Sequence, residues 1–326
     1  MTATISAPQI KAIIAASSHA DLIALMEEGF INYAAGKVVV PPVGYLPFNN
    51  PPGDVHIKYG YIKGDPYYVI KIASGFYNNP AMGLNSSNGM MLLFSQQTGE
   101  PLAVMLDEGY LTDIRTAVAG AVAARHLAPA QVDCIGIVGT GLQARLQLTY
   151  LQTVTTCRKV LIWGRSMEKA AALASDTTLG GFEITPTSDL TTLVRRSQLI
   201  VTTTPSREVL IKAQDVQPGT HITAMGADAE GKRELDPGIL AKADRVVADS
   251  IAQCVDHGEC HYAVKDALLP ESKIMALGNV IANPALRRTA ASQITVADLT
   301  GVAIQDIQIT RFVYEQILSN TTTIKS

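Results

Sequence analysis

Gly139, Gly141 and Ala144 stand in the run Ile135-Gly136-Ile137-Val138-Gly139-Thr140-Gly141-Leu142-Gln143-Ala144, an apolar strand leading into G-x-G-x-x-A. The chemistry this spacing suits is the binding of a dinucleotide pyrophosphate. Gly139 permits the tight turn, Gly141 removes the side chain that would block the phosphates, and Ala144 lets the next helix pack close to the strand. The helix N-terminus then aims its free amides at the anion. A Gly-rich hexamer alone is a weak signal. Here it follows a strand, opens a helix and meets a second strand at the interval a βαβ unit needs. That second strand ends Ile162-Trp163-Gly164-Arg165-Ser166. A site built for NAD places Asp or Glu there to accept from the ribose 2′-hydroxyl. A guanidinium and a hydroxyl suit a 2′-phosphate instead. NADP(H) is therefore favoured and NAD(H) stays open, against the plainer reading of Arg165 as a solvated residue at a helix start.

A second cluster invites a metal reading. Cys254, His257, Cys260 and His261 crowd together, but the stretch from Ser250 to Leu268 reads as one helix, and one helix face does not close a tetrahedron. Structural zinc sites draw on two separated ligand pairs. No metal is expected.

The elements that must position these residues follow from composition and pattern. The chain has 326 residues, 47% hydrophobic and 17% charged, enough for two domains, or one large α/β domain with an appendage, and a substantial core. Its 26 Lys and Arg against 29 Asp and Glu leave a net charge of −3. That lacks the basic surplus nucleic acid binding needs. No apolar run is long enough to span a bilayer, and the opening residues lack a signal-peptide layout. The four cysteines suggest a reducing compartment, so a cytoplasmic protein without membrane partners is expected. Ser18 reads as the N-cap of a helix that Gly36 ends. Short strands follow around 56–59, 67–72 and 90–94, and an Ala-rich helix runs over 112–127. Strands then alternate with helices: 134–138, 160–163, 182–185, 199–203, 221–225, 245–248 and 295–299. That alternation predicts a doubly wound parallel sheet in an α/β fold.

Five blocks together resemble the ornithine cyclodeaminase and mu-crystallin family. They are Tyr68-Val69-Ile70-Lys71-Ile72; Thr112-Asp113-Ile114-Arg115-Thr116-Ala117 with Ala123 to Pro129; Gly139-Thr140-Gly141-Leu142-Gln143; His221 to Asp228 with Gly231-Lys232-Arg233-Glu234-Leu235; and Asp298-Leu299-Thr300-Gly301-Val302-Ala303-Ile304-Gln305-Asp306. They lie in one order over most of the chain. The resemblance implies a Rossmann-type NAD(P)-binding domain over 116–299. It also implies an α+β substrate-binding and dimerisation domain from 1–115 with 300–326, and hence a homodimer. The implied substrates are α-imino or α-amino acids.

Site residues carry over from the same resemblance. Lys71, Arg115 and Asp228 match substrate residues. Each is also unusual on its own terms. Lys71 is a charge inside an apolar strand, Arg115 is a cation opposing the dipole of a helix first turn, and Asp228 follows a strand at the edge where α/β sheets bind ligands. Cofactor contacts carry over to Gly139, Gly141, Leu142, Gln143, Arg165, Ser166, Thr202, Thr203, Met225 and Gly226, and to Lys232, Ser87 and Gly301. One departure stands out. Many relatives carry an Arg for the substrate carboxylate where this chain reads Val40-Pro41-Pro42-Val43-Gly44-Tyr45, and His56 and Lys58 appear on the next strand instead. Lys58 is the natural replacement cation. The expected activity is NAD(P)H-dependent reduction of a cyclic or open-chain 2-imino acid to an L-amino acid. Cyclodeamination of ornithine or a related diamino acid with bound NAD is the alternative, and a non-catalytic mu-crystallin-like binder is a third.

Overall fold

Ser18 and Gly36 delimit the first long helix as their chemistry dictates. The Ser18 hydroxyl accepts from Asp21 N at 3.1 Å, and Gly36, at φ +70°, turns the chain out of the last turn. The computed structural model describes residues 2–76 and 78–323. It divides into two compact units, Met1–Arg115 with Val302–Ser326, and Thr116–Gly301.

The first unit contains β1 (Ala3–Ser6), α1 (Ala7–Ala16), α2 (His19–Ala34), β2 (Val38–Val39), β3 (Gly44–Asn49), β4 (Pro52–Ile62), β5 (Tyr67–Phe76), β6 (Ser87–Ser95) and β7 (Pro101–Leu106). The helix α3 (Tyr110–Leu127) begins in it, and the final helix α11 (Ala303–Thr323) returns to it. The strands form one sheet in the order β1-β7-β6-β5-β4-β2, with β3 also paired to β4. All pairs are antiparallel except β1 with β7. Register sets Lys58 of β4 directly opposite Lys71 of β5. Alternation buries Val69, Lys71, Met91, Leu93, Ala103 and Met105 on the face that α11 covers. Gly29 lets α2 approach α11 closely, since a Cβ there would lie 2.8 Å from Gln308 Cγ.

Several elements here escape the sequence pattern. The proline-rich stretch before Gly53 holds a turn at Asn50-Pro51, and β3, which the sequence pattern does not mark, runs into it. Pro47 is tolerated because β3 is an outer strand pairing with β4. β1 is only four residues long and pairs with a strand about a hundred residues away. Nothing local marks it.

The second unit is a Rossmann-type α/β domain. It holds β8 (Ile135–Val138), α4 (Leu142–Leu151), β9 (Lys159–Trp163), α5 (Met167–Ala174), β10 (Glu183–Thr187), α6 (Leu190–Arg196) and β11 (Leu199–Thr202). After these come β12 (His221–Ala224), α7 (Pro237–Lys242), β13 (Arg245–Ala248), α8 (Ile251–His257), α9 (Glu259–Lys265), β14 (Ile274–Ala276), α10 (Leu277–Ala282) and β15 (Thr295–Asp298). Its eight strands are all parallel, in the order β10-β9-β8-β11-β12-β15-β13-β14. The order reverses direction between β8 and β11, and the crevice at their carboxyl ends is where such sheets bind ligands. Val138, Ile200, Ile222, Leu240 and Val296 belong to the core beneath it.

The segment expected as one helix over 250–268 is two. Gly258, with an extended backbone, separates α8 from α9. The physical reason is tertiary: the buried Asp298 carboxylate reaches into the break and accepts from Cys260 N at 2.8 Å, and a Cβ on Gly258 would lie 2.5 Å from that carboxylate. Among the described residues, no helix is long and apolar enough to cross a membrane.

Candidate functional site

The dinucleotide fingerprint is built as its spacing requires. Gly139 follows β8 at φ +126°, and a Cβ there would lie 2.4 Å from Thr203 Oγ1, so the turn admits only glycine. Thr203 N in turn donates to Val138 O at 2.8 Å, tying the end of β11 to the end of β8. Gly141 is the N-cap of the ten-residue α4, makes no side-chain cap, and has open space where a Cβ would be. Ala144 is fully buried against the sheet. Uncapped amides facing open space fit a pyrophosphate. Beside them, Arg165 is exposed at the end of β9, and Ser166 caps α5, its hydroxyl accepting from Lys169 N at 3.2 Å. A groove lined by Thr140, Gly141, Leu142, Arg145 and Lys169 adjoins this strand end.

The loops after β11 and β12 are fastened by a buried carboxylate to which the sequence pattern assigns no role. Glu234 accepts from Thr202 Oγ1 at 2.6 Å and Gly226 N at 2.9 Å through one oxygen. Through the other it accepts from Thr204 N and Thr204 Oγ1, each at 2.7 Å. Thr202 therefore spends its hydroxyl inside the protein, and Met225 is buried with its sulfur 2.8 Å from Gln147 Nε2. Glu259 accepts from the amides of Glu234 and Leu235. Asp249 accepts from Gly301 N at 2.7 Å, holding that glycine at φ +82°. Asp228 lies two residues beyond Gly226, half exposed, and pairs with Lys232 at 2.6 Å.

The Cys254–His261 cluster shows a different logic. Cys254 and Cys260 are fully buried, with Cys254 Sγ against Asp249 and the Asp298 carbonyl, and burial pushes both thiols well up. His261 instead contacts the Val255 carbonyl, and His257 contacts Asp256. Among the described residues, no three His, Cys, Asp or Glu side chains are grouped to share a metal ion.

The first unit gathers three cations in its interior. Lys71 is 2% exposed, Arg115 6% and Lys58 9%. Asp306, on the enclosed first turn of α11, meets two of them: Lys71 Nζ lies 3.2 Å from its Oδ2 and Arg115 Nε 3.1 Å from its Oδ1. Arg115 also donates to Gln305 Oε1 at 3.1 Å. Burial drives the Lys71 ammonium down to about 7, the Arg115 and Lys58 charges add to the drop, and Asp306 opposes it. Burial alone would raise Asp306, but Lys71, Arg115 and Lys58 together hold it below the usual carboxylate range. Asp306 is the second residue missed. Its local signal is weak, since α11 also carries Gln305, Gln308, Arg311 and Glu315, and only the block from Asp298 to Asp306 draws attention to it. Ser87 opens β6, exposed and paired with Gly75.

A model of the ornithine cyclodeaminase/mu-crystallin family matches residues 7–321. The chain belongs to this family. An "uncharacterized cyclodeaminase" of Sinorhizobium fredii is 42% identical over 91% of this chain and 90% of its own length. An archaeal alanine dehydrogenase dimer with bound NAD superposes with a TM-score of 0.89 at 34% identity, covering 98% of this chain and 97% of the other. The Δ1-pyrroline-2-carboxylate reductase of Thermococcus litoralis, in complex with NADH and L-proline, gives a TM-score of 0.90 at 26% identity over 98% of each chain. Family membership makes the protein an NAD(P)-dependent enzyme of C=N or CH–NH chemistry.

Proposed function

We propose that the protein reduces a 2-imino acid, cyclic or open-chain, to an L-amino acid with NAD(P)H, and prefers NADPH. The observation that carries this reading is the buried trio Lys58, Lys71 and Arg115 around Asp306. Cations gathered in an interior form a site complementary to an anion. A substrate carboxylate supplies one. Lys71, Arg115 and Lys58 would then orient Cα for reaction. Asp228 would face the substrate nitrogen, stabilising its positive charge and relaying its proton. A bound nicotinamide supplies hydride to Cα. Gly139, Gly141, Leu142, Gln143, Thr203 and Gly226 are the proposed contacts to the dinucleotide, with Thr202 and Met225 shaping the loops, and Lys232, Ser87 and Gly301 as further contacts.

The deciding assay follows NAD(P)H consumption with pyrroline-2-carboxylate, piperideine-2-carboxylate, iminosuccinate and pyruvate with amines. Ornithine-to-proline conversion without added reductant is run beside it. Oxidation of the cofactor with one imine is the expected result. Proline formation alone would instead select cyclodeamination, a second reading favoured by the name borne by the 42%-identical relative.

The cofactor preference rests on Arg165 and Ser166. Arg165→Ala is expected to weaken NADPH binding by about tenfold or more, since a charge-assisted bond to phosphate is worth roughly 1.5–3 kcal/mol, while NADH binding barely moves. Fluorescence titration of both cofactors against both proteins checks this, and equal losses would remove Arg165 from 2′ recognition.

A homodimer is part of the same reading. The sheet face of the first unit opposite α11 carries Tyr59, Tyr61, Tyr68, Ile70, Leu92 and Phe94, all partly or well exposed, and Tyr45, Leu46 and Phe48 of β3 stand 43–54% exposed. A contiguous apolar face of this kind is unusual on a monomer, and an isologous pairing would bury it. Light scattering at micromolar concentration is expected to give twice the chain mass; a 34.7 kDa species would overturn the dimer.

A further inference from the structure

Asp306 is fully buried on α11, and its two oxygens are divided between two cations from two other elements, Lys71 of β5 and Arg115 of α3. A surface ion pair would need no such division. From β4 the cross-strand neighbour of Lys71 is Lys58, a third cation; from β6 it is the neutral Met91. On the Asp306 side, the turn before α3 brings Asp107, a buried carboxylate whose Oδ2 accepts from Leu111 N at 2.8 Å and whose own ionisation is disfavoured by burial and by Asp306. Among the described residues, Asp306 is thus the anion at ion-pair distance from Lys71. Take its charge away, and Lys71 faces two cations in an interior where an unmatched ammonium sheds its proton.

We propose that Asp306 is the positioning residue of this cluster: it holds the Lys71 ammonium and the Arg115 guanidinium as a preformed receptor, and its charge keeps Lys71 protonated for an incoming substrate carboxylate. The inference rests on the reading above, that these cations bind a carboxylate. It adds that carboxylate capture is linked to the proton on Lys71. Binding is strongest where Lys71 is charged and weakens as pH rises through its titration, because a deprotonated amine cannot pair with an anion. The existing position of Lys71, pushed down to about 7, places that transition in the neutral range.

Two readouts separate the parts. The first is the titration of Lys71 by NMR of protein labelled at lysine Cε, with the resonance identified by its loss in Lys71→Met. Asp306→Asn, close to isosteric, is expected to move this titration down by about one pH unit, and Lys58→Met to move it up, the two shifts having opposite signs. The second is KM against pH with pyrroline-2-carboxylate, or whichever imine of the panel is reduced. The ratio of KM in Asp306→Asn to wild type is expected to grow from near one at pH 5 to about tenfold at pH 8, the value a one-unit shift implies. Structural damage alone would raise KM at every pH alike and would overturn the proposal. So would a Lys71 titration unmoved in Asp306→Asn. If Asp306→Asn does not fold, Lys58→Met and wild type decide: an unshifted or downward titration in Lys58→Met refutes the electrostatic coupling. Failure of every imine to react would sink the reductase reading, and the NMR arm would still judge Asp306 by itself.

Discussion

Replacing Asp228 by Asn is expected to lower kcat and kcat/KM together by about 10²–10³-fold, the loss typical of one well-placed electrostatic group. The side chain keeps its size and most of its hydrogen-bonding capacity, and loses the charge that favours a positive nitrogen. Equal losses in the two constants are the mark of an interaction made in the transition state and not in the ground state. The fold should tolerate the change, because Asp228 is half exposed and its pairing with Lys232 is near the surface, where an ion pair contributes little. The loop itself is fixed upstream, at Gly226, by Glu234. Dissociation constants for NADH and NADPH should stay within about twofold. Steady-state kinetics on the active imine, with cofactor titration beside it, checks both halves. A near-normal kcat, or a loss confined to cofactor affinity, would remove Asp228 from the reaction.

Lys71→Met is expected to act on the other constant. A buried charged partner to a carboxylate is worth roughly 1.5–3 kcal/mol, so KM should rise about 10–150-fold with a smaller change in kcat. The clamp acts on bound substrate before any charge develops, hence the split. Met fills most of the space of the lysine stem, and Asp306 is not stranded, because Arg115 remains 3.1 Å from its Oδ1. That distinction matters, since a buried carboxylate left wholly unpaired would destabilise the protein by about 3–5 kcal/mol and mask the kinetic effect. Thermal unfolding of the variant beside its kinetics tells the two apart. A KM that stays put would show that the carboxylate is held elsewhere.

The parallel α/β unit and its glycine-rich turn were legible in the residues alone, since both rest on short-range rules. Buried strands read as continuous apolar runs, and Gly139 marks backbone that no side chain can occupy, while Gly141 leaves the space before the helix open. The family was equally legible, because its blocks are local runs in fixed order. What lay beyond reach was set by contacts between residues far apart in the chain. The break at Gly258 comes from Asp298, forty residues later. β1 exists through pairing with β7. The same holds for the charge cluster. Lys58 and Lys71 were each visible as anomalies, but only antiparallel register sets them side by side. Asp306 joins them from a helix more than two hundred residues downstream. Local pattern says that a charge is out of place; tertiary packing alone says which opposite charge it meets, because Coulomb and desolvation terms depend on distance and burial and not on separation along the chain.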